Sequence, residues 1–599
     1  MVTACAARGS RHGCAPVAKK LGGLALFSLS IVSAAHSADL PAGPPPALPL
    51  WTWTGSYVGP HMGALWGAAK FADPAGTSVF GDNVSTPGFL GGFQIGYNWQ
   101  APQSRLVFGI EADLSGLVST GTNTCLAASG YFISANCRVE PKVSTTLTPR
   151  IGYAIDPGAR TLLYIKGGFA AVNDHVDIAS NAVLGPGTIA SESVWKAGWT
   201  AGAGVERALS PAWSLRLEYD YLGFGRSNVA TPLSFLQVIP GDAAGYVETP
   251  AGATGVSQNV QEVKFGVNYR FGIDPFAQWN SARGTDISQS ALAGPAWTLS
   301  APATNWLAGW EFDLGTRYWY SSGKFQKDLG ATTSAPTANV LVSRLTYDST
   351  ANSGEVFARA ESPDRLFIKG FVGTGALASG HMNDEDWLLF SETVPYSNTL
   401  STVKGTISYA TGDVGYDVLR TADYRLGAFI GYNYYLDKKE AYGCSQIANS
   451  FSDCVPAFPS NELGISENDT WNSLRVGVNG DVALLPGLRL NTDAAFLPYT
   501  QLRGVDTHWQ RTDVANQNST ETGRGMGVQL EAILSYYFTP AFNVGVGGRY
   551  WAMWTSDSSY SNLFGTACPC QTLPAKTDIY GLLVQADYKF DLPGQVIAR

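Results

Sequence analysis

The stretch from Leu215 to Tyr221 reads Leu-Arg-Leu-Glu-Tyr-Asp-Tyr, with apolar residues at the odd positions and charged residues at the even positions. Side chains of a β-strand alternate between the two faces of a sheet, so this period of two predicts a strand with one apolar and one charged face. Looser alternation recurs at 366–373, 424–435 and 528–538. Such strands suit the wall of a membrane barrel, whose outside meets lipid and whose inside is polar. A soluble β-sandwich is the alternative with the same pattern.

The composition favours the membrane barrel. Charged residues make up 15% of the 599 residues, against about 25% in typical soluble domains. Aromatic residues reach 12%, and they cluster at expected strand ends such as 318–320 and 550–551. The net charge is -9 and no basic run occurs, so nucleic-acid binding is not expected.

Residues 1–37 have the pattern of a signal peptide. Four basic residues precede an apolar stretch at 21–35, and small residues stand at the expected cleavage point before Ala38. The apolar stretch is short for a membrane-spanning helix, which needs about 20 residues. We therefore expect export to the outer membrane of a Gram-negative bacterium, with an uncleaved anchor as the alternative.

The rest of the chain divides once. Residues 38–50 form a Pro-rich leader, and strand patterns then run through residues 51–272. Residues 273–303 are a polar and Ala-rich connector, and a second strand-rich region covers residues 304–592. The sequence predicts two all-β domains.

The six cysteines after residue 37 fall in three local pairs, as expected for disulfides in an oxidising compartment. Two pairs lie in loop-like polar stretches, and the third could form a strained bridge or remain as free thiols. Zinc is less favoured because no histidine lies near any pair. The pairs are Cys125 with Cys137, Cys444 with Cys454, and Cys568 with Cys570.

Two acidic residues follow the predicted strand 366–377. On an extended segment Asp384 and Asp386 project to one face, and Glu385 projects to the other. Two carboxylates held close together raise the pKa of one of them, so the pair can orient a water or act as a base. An exposed acidic loop or a calcium site is the alternative.

A carboxylate and an imidazole follow a second predicted strand, 493–502. Asp506 and His508 are two residues apart and should share a face. A carboxylate beside an imidazole orients the ring and stabilises its charged form, as a general base requires. The alternative is a solvated surface pair.

The first strand region resembles the small eight-stranded outer-membrane barrels of alphaproteobacteria known as outer-membrane immunogenic proteins. The resemblance covers residues 38–272 and implies a fold but no activity. It is carried by the segments 38–41, 53–59, 91–99 and 108–113.

The second region resembles the omptin family, outer-membrane proteases built on ten-stranded barrels. The residues from Gly380 to Trp387 and from Asp506 to Trp509 look like the two catalytic segments of that family. Flanking similarity is spread over residues 304–592. It includes the segments 314–316, 323–324, 342–345, 424–427, 431–432 and 536–540.

The omptin resemblance implies an aspartic-type endopeptidase at the extracellular rim. His508 would activate a water beside Asp506, while Asp384 and Asp386 would hold and polarise that water from the facing side. The peptide bond would be hydrolysed without an acyl-enzyme. The family needs lipopolysaccharide as an activating lipid, and no other cofactor and no metal is implied. The expected partners are outer-membrane lipid, lipopolysaccharide and a peptide or protein substrate.

Two positions depart from the family pattern. Omptins that cut between basic residues carry acids in the substrate pocket, but this chain has Gly504 and Lys327 at the matching positions, with Asp328 next to the lysine. A pocket without those carboxylates should not strongly prefer Arg or Lys, because a buried cation needs a partner.

The resulting fold prediction is two transmembrane antiparallel β-barrels in tandem, of about eight and then about ten strands. A merged barrel of about 18 strands is the alternative architecture. A non-catalytic structural or adhesive surface barrel and a porin-like pore are the alternative functions. Small barrels fill their interiors with side chains, so only a merged barrel should conduct well.

Overall fold

The computed structural model describes residues 51–271 and 309–591. The predicted signal peptide, leader and connector therefore lie outside the described residues, as do Cys568 and Cys570. Within the two described ranges the omitted positions are 75, 79, 128–134, 181–188, 233, 238–245, 250–251, 331–340, 388–396, 449–453, 513–516, 561–570 and 573.

The first described range forms a closed antiparallel barrel of eight long strands. Its last strand pairs with its first, from Phe71 opposite Val256 to Tyr57 opposite Arg270. Four further short strands lie beyond the ring or along its edge. The strands are β1 Gly55–Phe71, β2 Asn83–Ser85, β3 Gly88–Gln100, β4 Leu106–Ser119, β5 Gly121–Cys125, β6 Ala135–Ala154, β7 Thr161–Ser180, β8 Ile189–Ala208, β9 Trp213–Thr231, β10 Ser234–Gln237, β11 Tyr246–Thr249 and β12 Gly252–Arg270.

The second range forms a closed barrel of ten long strands and one short one. Its strands are β13 Glu311–Gly330, β14 Leu341–Glu361, β15 Leu366–Asp386, β16 Ser397–Arg420, β17 Tyr424–Gln446, β18 Phe458–Leu485, β19 Leu488–His508, β20 Asn518–Tyr537, β21 Phe542–Tyr560, β22 Gln571–Thr572 and β23 Ala575–Asp591. Strand β13 pairs with β23, and β20 pairs with β21, which closes the ring. The prediction of eight and then ten strands is confirmed. The merged barrel is wrong, because no strand of one ring pairs with the other in the described ranges.

The alternation at residues 215–221 has the predicted direction. Arg216, Glu218 and Asp220 are buried inside the first barrel, whereas Tyr219 is exposed on its outside. Leu215 also faces outward but is buried, because it packs in an apolar cluster with Val482 of the second barrel. Here a neighbouring barrel takes the place of lipid.

Side chains occupy most of the interior of both barrels, and a cavity of about 140 Å³ remains in the second one, lined by charged residues such as Arg317, Asp413 and Glu531. In the first, buried cations pair with buried acids: Lys166 Nζ lies 2.7 Å from Glu218 Oε1, and Lys264 Nζ lies 2.6 Å from Asp220 Oδ2. Such pairing is what makes buried charge tolerable. In the second barrel Trp551 is central to an aromatic cluster that also contains Trp319, Tyr409 and Tyr435.

The two ends of each barrel differ. At one end the strands are joined by tight turns such as 421–423 and 486–487, and at the other end by longer connections. Outer-membrane barrels place short turns in the periplasm and long loops outside the cell. Two predicted disulfides, Cys125–Cys137 and Cys444–Cys454, are confirmed at the long-loop ends. No helix in the described part of the chain is long and apolar enough to cross a membrane.

The largely filled interiors predict that the protein does not conduct ions. Side chains occupy the space that a water column would need in barrels of eight and ten strands. We expect purified protein in planar lipid bilayers to give no stable conductance steps. Regular steps of uniform size would contradict this interpretation of the interiors and would support the porin-like alternative.

Candidate active site

Strand β15 presents an acidic pair at the long-loop end of the second barrel. The strand continues to Asp386, so the predicted end at Leu377 is wrong; its pairing with β14 runs on to Ser343 opposite Asp386. Met382 is buried in the apolar interior. Alternation from Met382 therefore puts Asp384 and Asp386 on the inner face and Glu385 on the outer face.

Strand β19 presents the other candidate pair. It runs to His508, well beyond the predicted end at Leu502, and Leu502 is buried on the inner face. Asp506 and His508 follow on that face, with His508 Nε2 3.2 Å from Asp506 Oδ2. The backbone N–H of His508 donates to the Gln517 carbonyl at 3.0 Å, which holds the end of the strand.

The two pairs face each other across the barrel. In the ring of ten strands, β15 and β19 are separated by three strands on one side and five on the other. Burial of the imidazole acts to lower the pKa of His508, but Asp506 and also Asp384 raise it, and the net shift is upward from 6.5. Asp384 on the facing strand thus favours the charged form of the imidazole.

These residues lie beyond the part of the wall that faces lipid. On β19 the outward apolar side chains Phe496 and Tyr499 are followed by the exposed Arg503. On β17, the outward Lys438 and Glu440 are exposed at the same end. Charged outward side chains belong in water, which places the candidate site above the bilayer.

A lysine lies at the centre of the site. The Lys327 ammonium, on β13, is 2.9 Å from Asp506 Oδ2, 2.5 Å from Glu467 Oε2 and 2.6 Å from Glu521 Oε1. The side chains of all four residues are fully buried. Lys327 and His508 thus contact the same oxygen of Asp506, so the carboxylate is held from two sides.

The lysine sets the charge of its neighbours. Burial acts to raise the pKa of Asp506, but Lys327 and then His508 lower it, so this carboxylate stays ionised. The pKa of Glu467 is raised by burial and then by Glu521, and burial raises the pKa of Glu521 to about 7. The ammonium of Lys327 is therefore shared by one acid that stays ionised and by two acids whose raised pKa favours protonation.

The same three acids are the residues that could hold a metal ion. Glu467, Asp506 and Glu521 offer carboxylate oxygens within 4.8 Å of one another. Because Lys327 Nζ already contacts all three, its ammonium takes the place that a cation would have. Neither of the two potential metal clusters found among the described residues includes Asp384 or Asp386, so the calcium alternative gains no support from the structure.

Sequence reasoning missed most of this charged network. It noted Lys327 only as a departure from a family pattern and did not connect it with Asp506. A second lysine, Lys439, lies 2.8 Å from Asp437 and 3.4 Å from Asp469, and over the Phe325 ring. A usable signal was present on β18, where Glu467 and Asp469 are two residues apart and must share a face.

Both halves match known families. Residues 24–271 match the family model described as an outer membrane protein beta-barrel domain, and residues 366–561 match the model of the omptin family.

Curated relatives match the first half. The chain is 32% identical over 261 residues to the 31 kDa outer-membrane immunogenic protein of Brucella melitensis, which is 41% of this chain and 96% of that protein. It is 28% identical over 208 residues to the 25 kDa outer-membrane immunogenic protein of Brucella abortus, which is 34% of this chain and 81% of that protein.

Among solved structures, the outer membrane protease OmpT from Escherichia coli aligns at 16% identity and a TM-score of 0.38. The alignment covers 47% of this chain and 96% of the protease.

Removing the central lysine should destabilise the second barrel. In Lys327→Met the acids Glu467, Asp506 and Glu521 lose their shared ammonium, and breaking a buried ion pair from one side costs about 3–5 kcal/mol. The exposed Lys438, at the same end of the barrel, supplies the control Lys438→Met, which should change little. Unfolding would be followed in detergent by circular dichroism. Equal stability of the two variants would show that Lys327 is not the counter-ion described here.

Proposed function

Because the chain belongs to the family of the outer-membrane immunogenic proteins in its first half and carries an omptin domain in its second, we propose that the second barrel is an endopeptidase at the outer surface. The protein itself is an outer-membrane β-barrel protein. The observation that carries the proposal is the contact of 3.2 Å between His508 and Asp506, with Asp384 acting on the same imidazole from the facing wall.

The geometry suggests a role for each nitrogen of His508. Because the ionised Asp506 carboxylate can only accept, Nε2 carries the hydrogen of this contact, and in the neutral ring Nδ1 then has a lone pair. Nδ1 would take a proton from a water as that water attacks the peptide carbonyl, and would later return the proton to the leaving amine. Asp506 orients the ring and stabilises the imidazolium that forms meanwhile. No covalent bond to the protein is needed.

The acidic pair on β15 would hold the water from the other side. Asp384 and Asp386 share the inner face, and their oxygens can accept the hydrogen bonds that a water offers. The negative charge of Asp384 also favours the imidazolium form of His508, because it raises the pKa of that ring. The pair therefore stabilises the charge that develops as the proton moves.

The substrate should not be selected for a basic side chain. Family acids that would bind Arg or Lys are replaced by Lys327 and Gly504, and a Cβ at position 504 would lie 2.3 Å from Asp469 Oδ1. Of the acids in this region, Glu467 and Glu521 already share the Lys327 ammonium, and Asp469 pairs with Lys439. A second cation would meet repulsion from that ammonium, whereas an apolar or neutral side chain would not.

Peptide cleavage is the direct test. A mixed peptide library would be incubated with the refolded protein, with and without lipopolysaccharide, which we propose as the activating lipid. His508→Ala and Asp506→Asn should each lower cleavage by about 10²–10⁴-fold, the usual contribution of a positioned base. The cut sites should show no excess of Arg or Lys.

The control for this experiment is His381→Ala, a histidine on the same end of the barrel whose side chain is exposed on the outer face of β15. It should cleave like the wild type. Equal cleavage by His508→Ala would remove the proposed base. No cleavage by any variant, with the barrels folded, would favour a non-catalytic surface barrel.

The pH dependence follows from the raised pKa of His508. The base must be neutral, so activity is lost as pH falls through that pKa, and the acid limb should lie above pH 6.5. Asp384→Asn removes a charge that raises this pKa, so its acid limb should shift to lower pH. Initial rates from pH 5 to 9 would show both effects. An acid limb that stays in place in Asp384→Asn would contradict the pairing of these residues.

A further inference from the structure

A row of polar side chains on the outside of the ten-stranded barrel is buried. Gln326, Arg344 and Glu385 lie on neighbouring strands at the long-loop end, and alternation turns them away from the barrel interior. Outward polar residues above the bilayer should meet water. Instead Gln326 is 2% exposed, Arg344 0% and Glu385 4%. We call these three residues the docking row.

The eight-stranded barrel covers the docking row. The covering element is the clamp hairpin, formed by β5 and residues 135–139 of β6, which pair directly. Thr124 Oγ1 donates to Glu385 Oε1 at 2.6 Å, and Arg344 Nη2 donates to Asn136 Oδ1 at 2.7 Å. Gln326 Nε2 donates to the Thr122 carbonyl at 3.1 Å. Each member of the row thus has a partner on the clamp hairpin.

A disulfide and a buried attachment restrict the motion of the clamp hairpin. The disulfide Cys125–Cys137 joins its two strands, and both cysteines are buried in an apolar cluster of the first barrel. Just after β5, the backbone N–H of Leu126 donates to Asp82 Oδ1 at 2.9 Å. A hairpin that is cross-linked and anchored in an apolar cluster can hold the residues it contacts in one position.

The docking row leads directly to the proposed active site. Glu385 stands between Asp384 and Asp386, with its side chain on the opposite face of β15. Its cross-strand neighbour Arg344 is fixed in turn by both oxygens of Asp328, at 2.7 and 2.8 Å. A contact that fixes the side chain of Glu385 therefore also fixes the backbone that carries Asp384 and Asp386.

We propose that the clamp hairpin of the eight-stranded barrel positions the acidic pair of the ten-stranded barrel, so that one barrel sets the activity of the other. The catalytic consequence rests on the proposed function, whereas the mechanical one does not. Thr124 is a positioning residue, because it acts on Asp384 and Asp386 through Glu385. The clamp gives a physical reason for joining the two barrels in one chain.

Amide hydrogen exchange tests the mechanical part in the full-length protein. Thr124→Val removes the hydrogen bond to Glu385. Because a hydrogen bond to a charged group contributes enough free energy for a factor of about ten, exchange in residues 381–387 should be about tenfold faster. Glu385→Met, which removes the accepting carboxylate, should do the same, and the double variant should exchange no faster than either single one. Thr145→Val is the control, since Thr145 donates to the Asp113 carbonyl within the first barrel, away from the clamp hairpin.

Peptide hydrolysis by the same variants tests the catalytic part. Thr124→Val should lower kcat several-fold with KM nearly unchanged, because the acidic pair acts on the water rather than on substrate binding. Unchanged exchange in Thr124→Val, or independent effects of the two substitutions, would overturn the clamp. Faster exchange with unchanged kcat would overturn its positioning role. If the wild type cleaves no peptide, the proposed function fails, but the exchange data still decide whether the clamp exists.

Discussion

Backbone hydrogen bonding is the constraint on which the rest of the structure depends. In a bilayer an unpaired N–H or C=O costs several kcal/mol, so a sheet must close on itself. Strand β1 closes the first ring on β12, and β13 closes the second on β23. Closure then fixes every inner side chain relative to those on the facing wall. Lys327 can serve acids on β18, β19 and β20 only because the ring places those strands opposite β13.

The same constraint explains which features could be predicted from the sequence. Period-two alternation such as that at residues 215–221 assigns each side chain to a face, and this assignment needs no knowledge of the partner strand. It also put Asp384 with Asp386, and Asp506 with His508, on common faces. Strand ends were predicted less well, because polar residues near the rim were taken as loops. In the structure β15 and β19 continue through those residues, since a barrel wall extends above the bilayer.

Partners across the barrel could not be predicted in this way. Alternation says that Lys327 faces inward, but not that it meets Glu467, 140 residues away, or Glu521, 194 residues away. Those contacts depend on strand tilt and register, which a single sequence does not reveal. The aromatic motif at 318–320 shows a related limit of prediction from the sequence. Tyr318 and Tyr320 are exposed on the outside as a membrane belt would require, whereas Trp319 is fully buried inside.

The site combines two walls whose separation must be held constant. The acidic pair comes from β15 and the Asp–His pair from β19, and no backbone ladder joins these strands directly. Inside the barrel, Lys327 holds Asp506 through its ammonium. Outside it, Thr124 of the other barrel holds Glu385 and with it the strand that carries Asp384. One wall is therefore fixed by a buried charge and the other by a docked, disulfide-linked hairpin. A water between the acidic pair and the Asp–His pair would therefore lie in a gap whose two walls are both fixed. A general base can act only on a water that is held in this way.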